Sequence, residues 1–179
     1  ALGNIKIDGI SSDNLSSMME KVTAGATGAL GQISMEGYSS SNLTTMLSKI
    51  TSGATSALGD IEMEGYSSDN LSLMVEKITA GATSALDEIQ LEGFSSDNLS
   101  SMVQEITSGA TGALDEIEMA GFDPSTDVFS MTEKVILGTT GALSEIEMDG
   151  YDSDDLEGMI EGVTTGAMSA INELQSAGL

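Results

Sequence analysis

The sequence predicts an all-α fold: a tandem array of six 28-residue repeats, one long helix each, forming an antiparallel up-down stack or an α-solenoid. Three observations predict it. Gly9, Gly37, Gly65, Gly93, Gly121, Gly150 and Gly178 recur at intervals of 28, 28, 28, 28, 29 and 28, and self-similarity at such a period marks a repeat architecture. Within each unit the apolar residues keep a helical period. Each unit also opens and closes on helix-capping chemistry. The chain divides into a partial repeat at 1–8 and full repeats at 9–36, 37–64, 65–92, 93–120, 121–149 and 150–177, the fifth carrying one extra residue near its start.

In the first full unit Leu15, Met18, Met19, Val22, Gly25, Ala26, Ala29, Leu30 and Ile33 fall in one stripe, roughly 140° wide at about 100° per residue. The stretch Thr23-Ala24-Gly25-Ala26-Thr27 offers a break, since glycine costs a helix about 1 kcal/mol against alanine. The stripe holds its phase across Gly25, however, and the last unit has Met168 at the second threonine's position. One continuous helix per unit is therefore expected, of roughly 23–25 residues and about 35 Å. Gly37 followed by Tyr38 reads as a glycine C′ with an apolar residue beyond it. Ser39 then reads as the next N-cap, with Tyr38 stapled on Leu43. The grammar recurs at Gly65-Tyr66-Ser67, Gly93-Phe94-Ser95 and Gly150-Tyr151-Asp152. At the fifth unit Asp123 caps and Pro124, the chain's one proline, takes the first helical position. Connections of about three residues would run consecutive helices antiparallel, each burying its neighbour's stripe.

Each stripe is large at its ends and small at its centre. The pairs Gly25/Ala29, Gly53/Ala57, Gly81/Ala85, Gly109/Ala113, Gly138/Ala142 and Gly166/Ala170 place small residues four apart, which lets backbones approach closely. A close helix crossing is the reading preferred to an apolar channel. Met18, Met46, Met74, Met102, Met131 and Met159 read as adaptable core filling.

Composition removes whole function classes. The chain has 29 acidic residues against Lys6, Lys21, Lys49, Lys77 and Lys134, a net charge of −24, and no His, Cys, Trp or Arg. There is no basic footprint for nucleic acid or for anionic lipid. Thiolate metal sites, disulfides and His- or Cys-based nucleophilic machinery are impossible. Charged and hydroxyl residues interrupt every apolar stretch, so no transmembrane segment is expected. Strong acidity suits a salt- or calcium-rich medium, and the localisation expected is extracellular or cell surface.

The candidate sites all repeat. Asn14, Asn42, Asn70 and Asn98 head the sequons Asn-Leu-Ser or Asn-Leu-Thr, acceptors for glycosylation on a secreted chain. The same residues also satisfy free N–H groups in first turns. Asp149, Asp152, Asp154 and Asp155 cluster near one helix start, the type of oxygen donor Ca²⁺ takes, although first-turn carboxylates are ordinary dipole complements. No cofactor beyond calcium is suggested. A hydroxyl column, Ser16/Thr27, Thr44/Thr55, Ser72/Thr83 and Ser100/Thr111, has the eleven-residue spacing that keeps one side of a helix. Such a column borders an amphipathic stripe, or matches an ordered surface such as ice.

Ala1–Asp8 aligns with Ala29–Glu36, the last turns of a further helix. The expected partners are neighbouring repeats of a longer parent chain, or another subunit in head-to-tail self-association. The function expected is non-enzymatic: a structural or interaction repeat serving as spacer, adhesin stalk or filament subunit. The alternative is a binding module for calcium or an ordered surface. A hydrolytic carboxylate pair would need an irregular acidic pocket, which a sequence doing the same thing six times does not offer.

Overall fold

A computed structural model describes residues 9–33, 39–61, 66–89, 95–117, 123–146 and 152–178. Among them are six helices and no strand: α1 Ser12–Gly28, α2 Ser40–Ser56, α3 Ser68–Ser84, α4 Ser96–Gly112, α5 Pro124–Leu143 and α6 Ser153–Ala177. No helix among them is long and apolar enough to cross a membrane. Every helix runs unbroken through its central glycine.

The helix starts follow the expected capping. Ser11, Ser39, Ser67, Ser95 and Asp152 are N-caps with extended backbone, each side chain accepting a free first-turn N–H. Pro124 opens α5, and the Asp127 carboxylate accepts the Asp123 N–H at 2.8 Å.

The helix ends differ from expectation. α1 to α4 are 17 residues long, shorter than 23–25. Three of them tighten into 3-10 turns at Ala29–Gln32, Ala85–Glu88 and Leu114–Glu116. The turn swings Leu30, Leu86 and Leu114 into the interior. The next residue, Ile33, Ile89 or Ile117, then leaves the helix with extended backbone. β-branched isoleucine favours that conformation. α6 has Leu174 at the same place, a better helix former, and runs 25 residues to Gly178, whose φ of 115° makes a left-handed cap. Gly9 has φ 80°. The proposed C′ glycines Gly37, Gly65, Gly93, Gly121 and Gly150, the residues Tyr38, Phe94 and Tyr151, and the partial repeat 1–8 lie outside the described residues.

Packing corrects a second expectation. The main partner of each helix is not its neighbour in sequence but the next helix but one: α1 on α3, α3 on α5, α2 on α4, α4 on α6. These partners are parallel. Tyr66 before α3 donates its hydroxyl to the Ile10 carbonyl before α1. Lys77 at mid-α3 pairs with Glu20 at mid-α1. Glu88 beyond α3 lies against Gly31 beyond α1. The molecule is thus two three-helix layers, α1-α3-α5 and α2-α4-α6, packed as a bundle. A stripe this wide is shared between a partner in the same layer and the facing layer.

Two apolar clusters result. One joins the starts of α1, α3 and α5 (Leu15, Met19, Leu71, Met74, Val75, Ile78, Val128, Met131) to the ends of α2, α4 and α6 (Leu58, Ile61, Leu114, Ile117, Leu174). The other joins the starts of the even helices to the ends of the odd ones. The facing layers are therefore antiparallel. Small residues and threonines occupy the middle of each helix between the clusters, and the threonines there are buried in α1 to α4 but exposed in α6.

Candidate functional site

The joint between successive helices of a layer is the feature the chain builds repeatedly. At its centre a glycine meets a backbone carbonyl: Gly81 on Glu20, Gly109 on Ser48, Gly138 on Glu76, Gly166 on Gln104. A Cβ at any of the four would overlap that carbonyl oxygen. Carbonyls on a rigid helix cannot step aside, so these positions require glycine. Ala85, Ala113, Ala142 and Ala170 are buried one turn on.

The first two pairs depart from the expected close packing. At Gly25 and Gly53 nothing lies within 4 Å of the same Cβ, and both glycines are exposed. Their companions follow them: Ala29 is exposed and Ala57 only half-buried. Gly25/Ala29 and Gly53/Ala57 are thus not close crossings: among the described residues no helix packs on α1 or α2 from that side. Ala57 closes α2 as its C-cap, as Ala29, Ala85 and Ala113 close their helices, donating its N–H to the Gly53 carbonyl at 3.3 Å.

Beside the glycine of each odd-layer joint runs an ion pair. Lys77 Nζ lies 3.2 Å from Glu20 Oε1, and Lys134 Nζ lies 3.2 Å from Glu76 Oε2. Both pairs are partly exposed, which makes each worth about 1 kcal/mol at most. They act more on register than on stability. This ladder escaped the sequence reading, yet it left a signal there. Glu20-Lys21, Glu76-Lys77 and Glu133-Lys134 are adjacent, and neighbours in sequence do not face each other on a helix. Adjacent opposite charges at a repeated position point to two different flanking helices. In the even layer the interior positions are Ser48 with Glu105 and Gln104 with Gly162, and no ion pair forms there among the described residues.

The end faces lack these partners. Of the described residues, the exposed large apolar ones are Met18, Val22, Ile33, Phe129, Leu137, Leu156, Ile160 and Met168. Every one belongs to the first unit or to α5 and α6. Met18 and Val22 are 36% and 44% exposed, whereas Met74 and Ile78, their equivalents on α3, are 0%. Leu156 and Ile160 are 40% and 45% exposed, against 0% for Leu71 and Val75.

The capping asparagines are engaged locally. Asn42, Asn70 and Asn98 each accept the N–H of the N-cap serine through Oδ1 at 2.9–3.0 Å and return their own N–H to its hydroxyl. Asn14 makes only the second of these bonds. Asp152 and Asp155 form the same reciprocal arrangement at α6, with Asp154 donating its N–H to Asp152. The Ser96 hydroxyl and the Asp152 N–H hold the Asp155 carboxyl below the usual carboxylate range. Among the described residues no three carboxylates converge on a metal-sized site, and Asp149 lies outside them.

Most of the hydroxyl column faces inward. Ser16, Ser72, Thr27, Thr55, Thr83 and Thr111 are buried, and the four threonine hydroxyls have no hydrogen-bond partner. Their neighbours one turn earlier differ: Thr23 and Thr107 donate to the Met19 and Val103 carbonyls at 2.8 and 2.9 Å. Thr79 lies 2.9 Å from the Glu76 carbonyl and 3.4 Å from that of Val135 on α5.

Compared with known proteins, the chain matches no family model and no curated protein sequence.

Proposed function

We propose that the chain is a non-enzymatic structural repeat: a spacer, adhesin stalk or filament subunit of an extracellular or cell-surface setting, its 28-residue units stacking as an α-solenoid. The observation that carries this reading is the glycine-on-carbonyl joint, made the same way at Gly81, Gly109, Gly138 and Gly166. A joint that depends on the repeat alone extends an array by one helix at a time. The acidity supports an outer, cation-rich setting, where a net charge of −24 is screened within about 8–10 Å.

The test is length. Two copies of 9–177 joined in frame give a twelve-helix chain. Small-angle scattering should show a maximum dimension longer by about 25–30 Å, three helix spacings of 8–10 Å, with a single melting transition. Two independently melting beads, or a compact particle that binds a small molecule tightly, would overturn the reading.

A further inference from the structure

The two open end faces are complementary to one another, in charge and in the registration of their residues. In the odd layer each lysine pairs with the glutamate of the preceding helix: Lys77 with Glu20, Lys134 with Glu76. That rule leaves one lysine and one glutamate over, Lys21 on α1 and Glu133 on α5, both exposed and unpaired. In the even layer the interior positions have lost the pair, but Lys49 on α2 and Glu161 on α6 retain it, also exposed. In the even layer a complementary lysine and glutamate thus stand only at the two open faces, Glu105 facing Ser48 in the interior.

Apolar surface follows the same division. Solenoids normally shield their terminal units with polar faces, and contiguous exposed apolar surface marks an interaction site. Here α6 exposes Leu156, Ile160 and Met168, and α5 exposes Phe129 and Leu137 on either side of Glu133. The first unit exposes Met18 and Val22 beside Gly25.

We propose that the molecule stacks head to tail on a second copy of itself. The α1/α2 face of one copy covers the α5/α6 face of the next, with Lys21 against Glu133 and Lys49 against Glu161. Parity permits it: with six helices, a following α1 runs parallel to α5 and takes the place of a seventh helix. The apolar contact drives association and the ion pairs select the register. Each copy carries −24, so repulsion opposes stacking at low salt. Shortening the screening length from about 30 Å at 0.01 M to about 8 Å at 0.15 M strengthens it.

The inference rests on the structural-repeat reading and is tested separately by a charge swap in the full chain. One variant carries Lys21→Glu and Lys49→Glu, the other Glu133→Lys and Glu161→Lys. All four side chains are exposed, and unchanged circular dichroism and melting verify each fold. In sedimentation velocity at 0.15 M salt the natural chain should form concentration-dependent oligomers. Each variant alone should associate at least ~10-fold more weakly, two attractions having become repulsions. An equimolar mixture should recover association, because both of its joints are again Lys against Glu. A natural chain that stays monomeric at all concentrations, or variants that associate as it does, would overturn the proposal. So would a mixture that fails to recover. A monomer whose twelve-helix form still lengthens would leave the structural reading standing without the stacking.

Discussion

α1 and α3 are nearly the same sequence in different surroundings. Thr23-Ala24-Gly25-Ala26-Thr27 of one is Thr79-Ala80-Gly81-Ala82-Thr83 of the other. Both are capped by serine and both are 17 residues long. Yet Met74, Ile78 and Gly81 are buried, Gly81 against Glu20 of α1, while Met18, Val22 and Gly25 face outward. Helix formation is thus written in the repeat itself. Burial belongs to the layer, and depends on whether a helix precedes. One unit has no stable interior of its own, as expected for a stripe that only neighbours can cover.

Substitutions at equivalent positions should separate the two contexts. Met74→Ala empties a fully buried site and should destabilise by about 2–5 kcal/mol. Met18→Ala, at the open face, should fall within about 0.5 kcal/mol. Urea unfolding measures both, and equal effects would break the comparison. Next in size is Gly138→Ala, which drives a methyl into the Glu76 carbonyl and should cost about 1–3 kcal/mol. Gly25→Ala, with open space around it, should instead stabilise by about 0.5–1 kcal/mol through helix propensity. The same change then has opposite signs at equivalent positions of one layer.

A smaller contrast lies within α3. Thr83 buries a hydroxyl with no partner, and Thr79 buries one that is bonded. Thr83→Val should raise stability by about 1 kcal/mol, since removing an unsatisfied buried group relieves its desolvation cost. Thr79→Val should lower it, and thermal melts of the pair check the sign. The smallest effect is at the α4/α6 start. Asp155 is held below its ordinary range, so its contribution is present above about pH 4 and is lost as pH falls through the lowered value. Asp155→Asn should flatten part of the fall in melting temperature below pH 4 while changing little at pH 7.

Much of this was legible in sequence. The serine caps, the uninterrupted central glycine and the glycine requirement at close joints follow from local rules that act within one unit. Which joints close did not follow: Gly25/Ala29 and Gly53/Ala57 carry the same small residues as the other four pairs, and only their place at the open face leaves them uncovered. Helix ends at Ile89 and Ile117 are set by a competition between continuing the helix and burying isoleucine from extended backbone, which only tertiary contacts decide. Ile33 leaves its helix the same way but stays exposed. The choice of partner was hidden for a related reason. A stripe says that a face is covered, and short connections suggest that the next helix covers it. The residues that name the true partner, Glu20 with Lys77 and Glu76 with Lys134, stand about two repeats apart and look like surface decoration inside either unit. The end faces became visible only once that pairing rule showed which lysines and glutamates it leaves over.

The account turns on the next-but-one helix being the partner, and the absence of cysteine makes that directly measurable. Glu20→Cys combined with Lys77→Cys should be bridged within one chain by a short bis-thiol reagent. Glu20→Cys combined with Lys49→Cys, one helix on in sequence, should not. Rapid bridging of 20 to 49 with none between 20 and 77 would mean that sequence neighbours are the partners, and would contradict the two-layer arrangement.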